Sequence, residues 1–397
     1  MKFLMAGVIL VFSGYSSEFM QMTPMGNECI PVSIELSGCT EASEALEQLE
    51  FDIDFSGILE TADRGEGYAH ARCVLSGTRG SYTLSVDVDG AEGEMLLKTE
   101  YSGSSWQTLI HRFADEFVYL LSGEQGIAST QVAYITRSSG FYSLKVQSLD
   151  PRAPQVVISD DEVITTPSWS TDGEEIAFTS YRNGLGDIYL YSFANSSAQR
   201  IITGGLNTSP AWTPDSRYIA FTRSIGGNSD IHRYDTASGD VQRLTARGSI
   251  ETSPSFSPTG QQMILTSDRV GYPQLYIMDS SGGSVERAGF AHGYCDSPSW
   301  SPTGDRIAYC ARSNGDFHIF VMNADGTDIR QVTTEGTLNE DPVWSPTGGH
   351  LAFSSDMNGE RSIYLLELNK LTVYRLSSGT ESYCATWSPV TIQGGIQ

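Results

Sequence analysis

From about residue 130 onward, apolar residues gather in runs of about four, separated by polar gaps rich in Gly, Asn and Pro. Runs this short, rich in Ile, Phe, Tyr and Thr and bounded by turn residues, predict β-strands. The pattern is also periodic. Pro167-Ser168-Trp169-Ser170 recurs as Pro210-Ala211-Trp212-Thr213, Pro254-Ser255-Phe256-Ser257, Pro298-Ser299-Trp300-Ser301 and Pro342-Val343-Trp344-Ser345. A last copy, Ala385-Thr386-Trp387-Ser388, lacks the leading Pro, and successive copies lie 43 or 44 residues apart. Five of the 6 Trp residues occupy this one motif position, which chance does not produce.

Each unit keeps one internal order. After the aromatic strand comes a turn such as Pro214-Asp215-Ser216 or Pro302-Thr303-Gly304, in which Pro pre-sets φ and Gly tolerates positive φ. A second strand follows (Ile176-Ala177-Phe178-Thr179 in the first unit), then a third (Asp187-Ile188-Tyr189-Leu190) and usually a fourth (Arg200-Ile201-Ile202-Thr203). Four strands in roughly 44 residues make one propeller blade. The last motif copy supplies one strand, and its missing partners stand at the front as Val132 to Ile135, Tyr142 to Val146 and Gln155 to Ile158. The prediction is a mainly β chain: a six-bladed β-propeller of WD40-like repeats over 127–397, closed by pairing of 131–159 with 385–390.

Residues 17–126 lack the repeat and read as a small α/β domain. Ile30 to Leu36 alternates like a strand, and Thr40 to Leu49 predicts a helix capped by Thr40. Ala71 to Leu75, Tyr82 to Val88 and Met95 to Tyr101 predict three further strands. Ser105 to Leu121 carries Trp106, Leu109, Ile110, Phe113, Phe117, Leu120 and Leu121 on one helical face. At the front, Met1-Lys2 followed by the ten apolar residues Phe3 to Phe12 predicts an export signal over 1–16. That run is too short to span a bilayer, and no later stretch is suited to do so.

Charge narrows the partners. With 48 acidic against 24 basic residues, the formal net charge of −24 repels nucleic-acid phosphate and anionic membrane. The six Cys show no CxxC spacing and the six His no zinc-ligand pairing, so no metal site or cofactor is expected. Cys295 and Cys310 flank a predicted hairpin, so either a disulfide or two buried thiols fits. No GxSxG elbow is present, and no catalytic residue is assigned.

The repeat unit Pro298-Ser299-Trp300-Ser301-Pro302-Thr303-Gly304, Ile307-Ala308-Tyr309, Ile319 to Asn323 and Val332-Thr333 resembles that of the TolB family. The junction Phe113 to Phe117, Leu121 to Ala128 and Val132 to Ile135 is similar to the family's link between small domain and propeller. Thr259, Thr303 and Thr347 stand where the family usually has a turn Asp. The resemblance implies a monomeric, non-enzymatic periplasmic adaptor of a Tol–Pal system. Such an adaptor binds the peptidoglycan-associated lipoprotein Pal on one propeller face and supports outer-membrane integrity and constriction at division. It also implies contact with a TolA-like protein through the N-terminal segment. The family's Pal-facing loops precede the innermost strands, which here gives Leu206, Asn207, Ser209, Glu251, Thr252, Asp296, Asn339 and Glu340 as partner-binding residues. Two other readings of the residues stay open: a propeller scaffold for a different exported partner, and a carbohydrate-acting propeller using Glu251, Asp296, Glu340 and Asp341.

Overall fold

A computed structural model of the chain describes residues 29–63, 67–149, 154–246, 248–289 and 292–389. The expected export signal and most of the N-terminal segment lie outside them. The described chain divides into two compact units, the first ending at Ser129 and the second beginning at Thr130.

The first unit runs β1 (Ile30–Gly38), α1 (Ala42–Phe55), β2 (Leu59–Thr61), β3 (Ala69–Thr78), β4 (Ser81–Gly90), β5 (Met95–Gly103) and α2 (Trp106–Ser122). Its sheet has the order β2-β1-β3-β4-β5. The burial of β4 alternates strictly, with Tyr82, Leu84, Val86 and Val88 inward against the apolar face of α2. Ser105 caps α2 and Gly123, at φ 74°, ends it. The helix predicted to end at Leu49 continues to Phe55, and Thr40 does not cap it. Between the two helices the buried His111 Nδ1 meets Asp52 Oδ2 at 2.6 Å, and Gln48 donates to the same carboxylate at 2.8 Å.

The second unit is the six-bladed propeller: six four-stranded antiparallel sheets. The strands Ile164–Trp169, Leu206–Trp212, Glu251–Phe256, Cys295–Trp300, Asn339–Trp344 and Glu381–Trp387 touch one another in sequence all the way round, so they are the innermost of each blade. In the sixth sheet the C-terminal strand Glu381–Trp387 pairs with Gln131–Ser138, which leads to Phe141–Ser148 and Gln155–Asp160. The two ends of the propeller sequence therefore share one sheet, and no inner edge is left free.

The repeated Ile-Ala-Phe of the second strand explains how blades stack. In the second blade, Ile219 and Phe221 face the preceding blade with Trp212, while Ala220 faces the aromatic ring of the next, Phe256. Large side chains thus fill one side and a methyl group makes room on the other. The motif aromatics are all buried, and Trp212 and Trp344 donate from Nε1 to backbone carbonyls of the preceding blade, Ser168 at 3.1 Å and Ser299 at 2.9 Å.

One buried ion pair holds the third blade. Glu251 is fully buried, and Arg269 reaches it while its guanidinium lies 4.3 Å from the Tyr276 ring centroid. Arg269→Ala leaves that carboxylate buried and uncompensated, and a loss of about 3–5 kcal/mol is expected. Chemical denaturation checks it: Arg269→Ala combined with Glu251→Gln should recover part of the loss.

Candidate functional site

The residues singled out in the sequence separate into two groups at one end of the ring, the end at which every inner strand begins. Asn207, Glu251 and Asn339 are each 0 % exposed. They occupy the same position in blades two, three and five and act as staples. Asn207 donates from Nδ2 to the Gly186 carbonyl of the preceding blade at 3.2 Å and accepts from Arg223 Nε at 2.7 Å. Asn339 donates to the carbonyls of Phe317, in the preceding blade, and Glu335, both at 3.0 Å. These three position the loops and are not reachable by a partner. Leu206, Ser209, Thr252, Asp296 and Glu340 are half-buried and remain available.

The reason for the division is a bulge that no strand pattern announces. Every inner strand shifts register where one residue adopts a left-handed conformation: Thr166, Ser209, Ser253, Ser297, Asp341 and Cys384, with φ between 47° and 54°. Five of these six precede the motif Pro. A non-Gly residue held there costs on the order of 1 kcal/mol and usually marks a designed feature. The six occupy one level of the innermost strands and form a polar belt.

Hydrogen bonds run along this belt from blade to blade. The Ser209 N–H donates to Thr166 Oγ1 at 3.3 Å, and Thr266 Oγ1 donates to Asp296 Oδ1 at 2.8 Å. Ser297 Oγ donates to Asp341 Oδ1 at 3.0 Å, and the Cys384 thiol lies 3.4 Å from Asp341 Oδ2 and 3.5 Å from Thr165 Oγ1. Ser297, Asp341 and Cys384 are absent from the expected partner-binding set. The residue before the motif Pro, read as a position of its own, is the signal that finds most of them.

The belt is chemically lopsided. In blades one to three the belt residue and the one before it are all hydroxyls, whereas blade four sets Asp296 before Ser297 and blade five sets Glu340 before Asp341. Burial raises the Asp296 carboxyl above its ordinary range, opposed by the Thr266 hydroxyl and Ser297 N–H and helped by the Asp341 charge. Burial also raises Glu340, with Asp341 adding to it and Arg361 opposing. The Cys384 thiol is pushed up to about 12 by burial and then by Asp341, so it stays protonated as a donor. Among the described residues no group of three or more His, Cys, Asp or Glu is arranged to hold a metal ion.

A raised carboxyl makes a pH prediction. Folding favours protonated Asp296, so that contribution is present below the unfolded pKa of about 3.9 and is lost as pH rises through the higher folded value. Asp296→Asn keeps an acceptor for Thr266 and Ser297 without the charge. It is expected to melt above the wild type at pH 7, with the gap closing toward pH ~3.5; scanning calorimetry at both values checks this.

The cysteine pair is not bridged. Cys295 lies opposite Ala311 and Cys310 opposite Asp296, a one-residue offset that puts the two sulfurs on opposite faces of the sheet. Cys295 packs with Trp300 and Tyr309, while Cys310 packs against the next blade with Trp344 and Phe353.

Known proteins share this architecture. The family model described as TolB beta propeller domain matches residues 118–391. The chain is similar to the Tol-Pal system protein TolB of Anaeromyxobacter dehalogenans, 31% identical over 182 residues, 39% of this chain and 42% of the relative. It is likewise similar to that of Legionella pneumophila, 31% identical over 223 residues, 49% of this chain and 52% of the relative. The match thus spans about half the length of these relatives. The crystal structure of TolB from Acinetobacter baumannii superposes with a TM-score of 0.82 at 22% identity, covering 92% of this chain and 98% of that one, a likeness of fold.

Proposed function

This chain belongs to the TolB β-propeller domain family, and we propose that it is the periplasmic adaptor of a Tol–Pal system. In this reading the protein is exported, monomeric and without catalytic activity. It binds a peptidoglycan-associated lipoprotein at the end of the propeller where the inner strands begin, and so supports outer-membrane integrity and constriction at division. A TolA-like protein engages the N-terminal segment. The observation that carries the reading is the polar belt: six strained residues, one per blade and Ser209 among them, converge beside the half-buried Thr252, Asp296 and Glu340. A rigid ring that brings six loop ends together is a binding device rather than a store of reactive groups. The net charge of −24 favours a partner with a basic surface. No helix among the described residues is long and apolar enough to cross a membrane.

The cellular test is deletion of the gene in its own organism. Periplasmic enzyme is expected to leak into the medium and detergent sensitivity to rise, both reversed by the wild-type gene. An unchanged envelope barrier would contradict the role.

A further inference from the structure

Exposed apolar side chains are distributed unequally over the propeller. Phe141 is 54% exposed, Leu185 59%, Ile225 63%, Ile250 49%, Val270 45% and Tyr272 43%. Strand pairing puts all six at the end where inner strands begin. Arg137 pairs with Glu381 just before the Phe141 hairpin, and Ser180 with Ile164 just before the Leu185 loop. Ser224 pairs with Leu206 beside Ile225, and Ser267 with Glu251 beside Ile250, Val270 and Tyr272. Among the described residues, a turn at the opposite end exposes Leu371, and the other exposed apolar side chains toward that end, Val156, Val241 and Val373, lie singly on the outermost strands of three different blades.

The six also cover only four consecutive blades: the composite sixth, then the first, second and third. On blade five the corresponding loops carry Glu335, Asp356 and Glu360 instead, while on blade four Asp316 stands beside the exposed Arg312. Arginines near this end are largely committed within the chain. Arg182 holds Asp160, Arg361 holds Glu340, and Arg137 lies 3.8 Å from Glu381. Asp161, Glu162, Glu335 and Glu360 remain exposed, so the surroundings of the apolar arc are acidic. Exposed apolar groups gathered on one side and rimmed by charge mark a protein-binding surface.

We infer that this arc docks the partner off-axis: a folded protein domain with an apolar ridge over blades six, one, two and three and a basic flank over the acidic loops of blade five. The inference rests on the adaptor reading and specifies its footprint. The arc supplies the desolvated contacts, and the acidic side sets orientation and encounter rate.

The test titrates residues 17–397 against the soluble domain of the peptidoglycan-associated lipoprotein from the same cells by calorimetry, at low and high salt. The variant Leu185→Asp/Ile225→Asp/Tyr272→Asp is compared with wild type and with Leu371→Asp from the opposite end. All four positions are exposed, so melting temperatures should stay at the wild-type value, and Ile225→Asp alone gives the same ordering if the triple variant folds poorly. At least a 30-fold weakening by the triple variant is expected, with no change in Leu371→Asp and weaker wild-type binding at high salt. Equal binding by wild type and triple variant would overturn the footprint while leaving the adaptor reading intact. A wild-type dimer that the triple variant dissolves would also overturn it, by making a second copy the occupant. No wild-type binding at all would overturn the adaptor reading and the footprint together.

Discussion

Removal of residues 381–397 is expected to leave no cooperatively folded propeller. The deleted strand Glu381–Trp387 is the inner edge of the sixth sheet, and its pairing with Gln131–Ser138 is what joins the two ends of the ring. Trp387 is buried and donates from Nε1 to Thr130 Oγ1 at 2.8 Å, while Thr386 Oγ1 accepts from the Trp169 N–H of the first blade at 3.2 Å. Losing one such aromatic residue costs about 3–5 kcal/mol. Losing the strand also leaves Gln131–Ser138 as an unpaired inner edge and uncovers the packed faces of blades one and five, which together exceeds the ~5–15 kcal/mol that keeps a typical domain folded. The truncated chain should show no sharp thermal transition and should be cut rapidly by protease. A truncated chain that melts like the full one would mean the ring does not depend on this closure.

Binding should collapse, with the fold intact, in Ser209→Arg/Thr252→Arg. Both positions lie in the inner strands at the loop ends of adjacent blades and are half-buried. Ser209 already holds a φ of 53°, so exchange for another residue with a Cβ adds no new backbone strain. Two guanidinium groups there add bulk at the convergence point and oppose the basic surface that an acidic ring selects. A loss of at least 100-fold in affinity for the lipoprotein is expected, about 3 kcal/mol, measured by calorimetry beside an unchanged melting curve. Binding within threefold of wild type would remove these two residues from the interface.

The fold and the site differ sharply in how far the sequence discloses them. Six blades are legible because one large aromatic must fill each interface, and Trp169, Trp212, Phe256, Trp300, Trp344 and Trp387 keep that duty at constant spacing. The belt is less legible, because its residues are Thr, Ser, Ser, Ser, Asp and Cys. A left-handed bulge constrains the backbone, not the side chain, so no single residue type repeats. The resemblance places Asn207, Glu251 and Asn339 on the partner-facing loops, and because the same bulge breaks the strand alternation, no residue pattern marks them as the buried staples they are. The cysteine pair is ambiguous in sequence for a related reason: hairpin spacing brings Cys295 and Cys310 close, but a register offset of one residue turns them apart. In the first unit, Phe51-Asp52-Ile53-Asp54-Phe55 alternates with the period of a strand. It is nonetheless the end of α1, because Asp52 is satisfied in the core by His111 and Gln48, a pairing 59 residues away in sequence.

In the proposed role this ring holds an envelope lipoprotein at its belt-bearing end. The most direct measurement is capture: immobilised residues 17–397, solubilised envelope from the protein's own cells, and mass identification of what is retained, beside the Ser209→Arg/Thr252→Arg variant. A peptidoglycan-associated lipoprotein is expected to be retained by the wild type and lost from the variant. Its absence from the wild-type sample, or equal retention by both, would contradict the account.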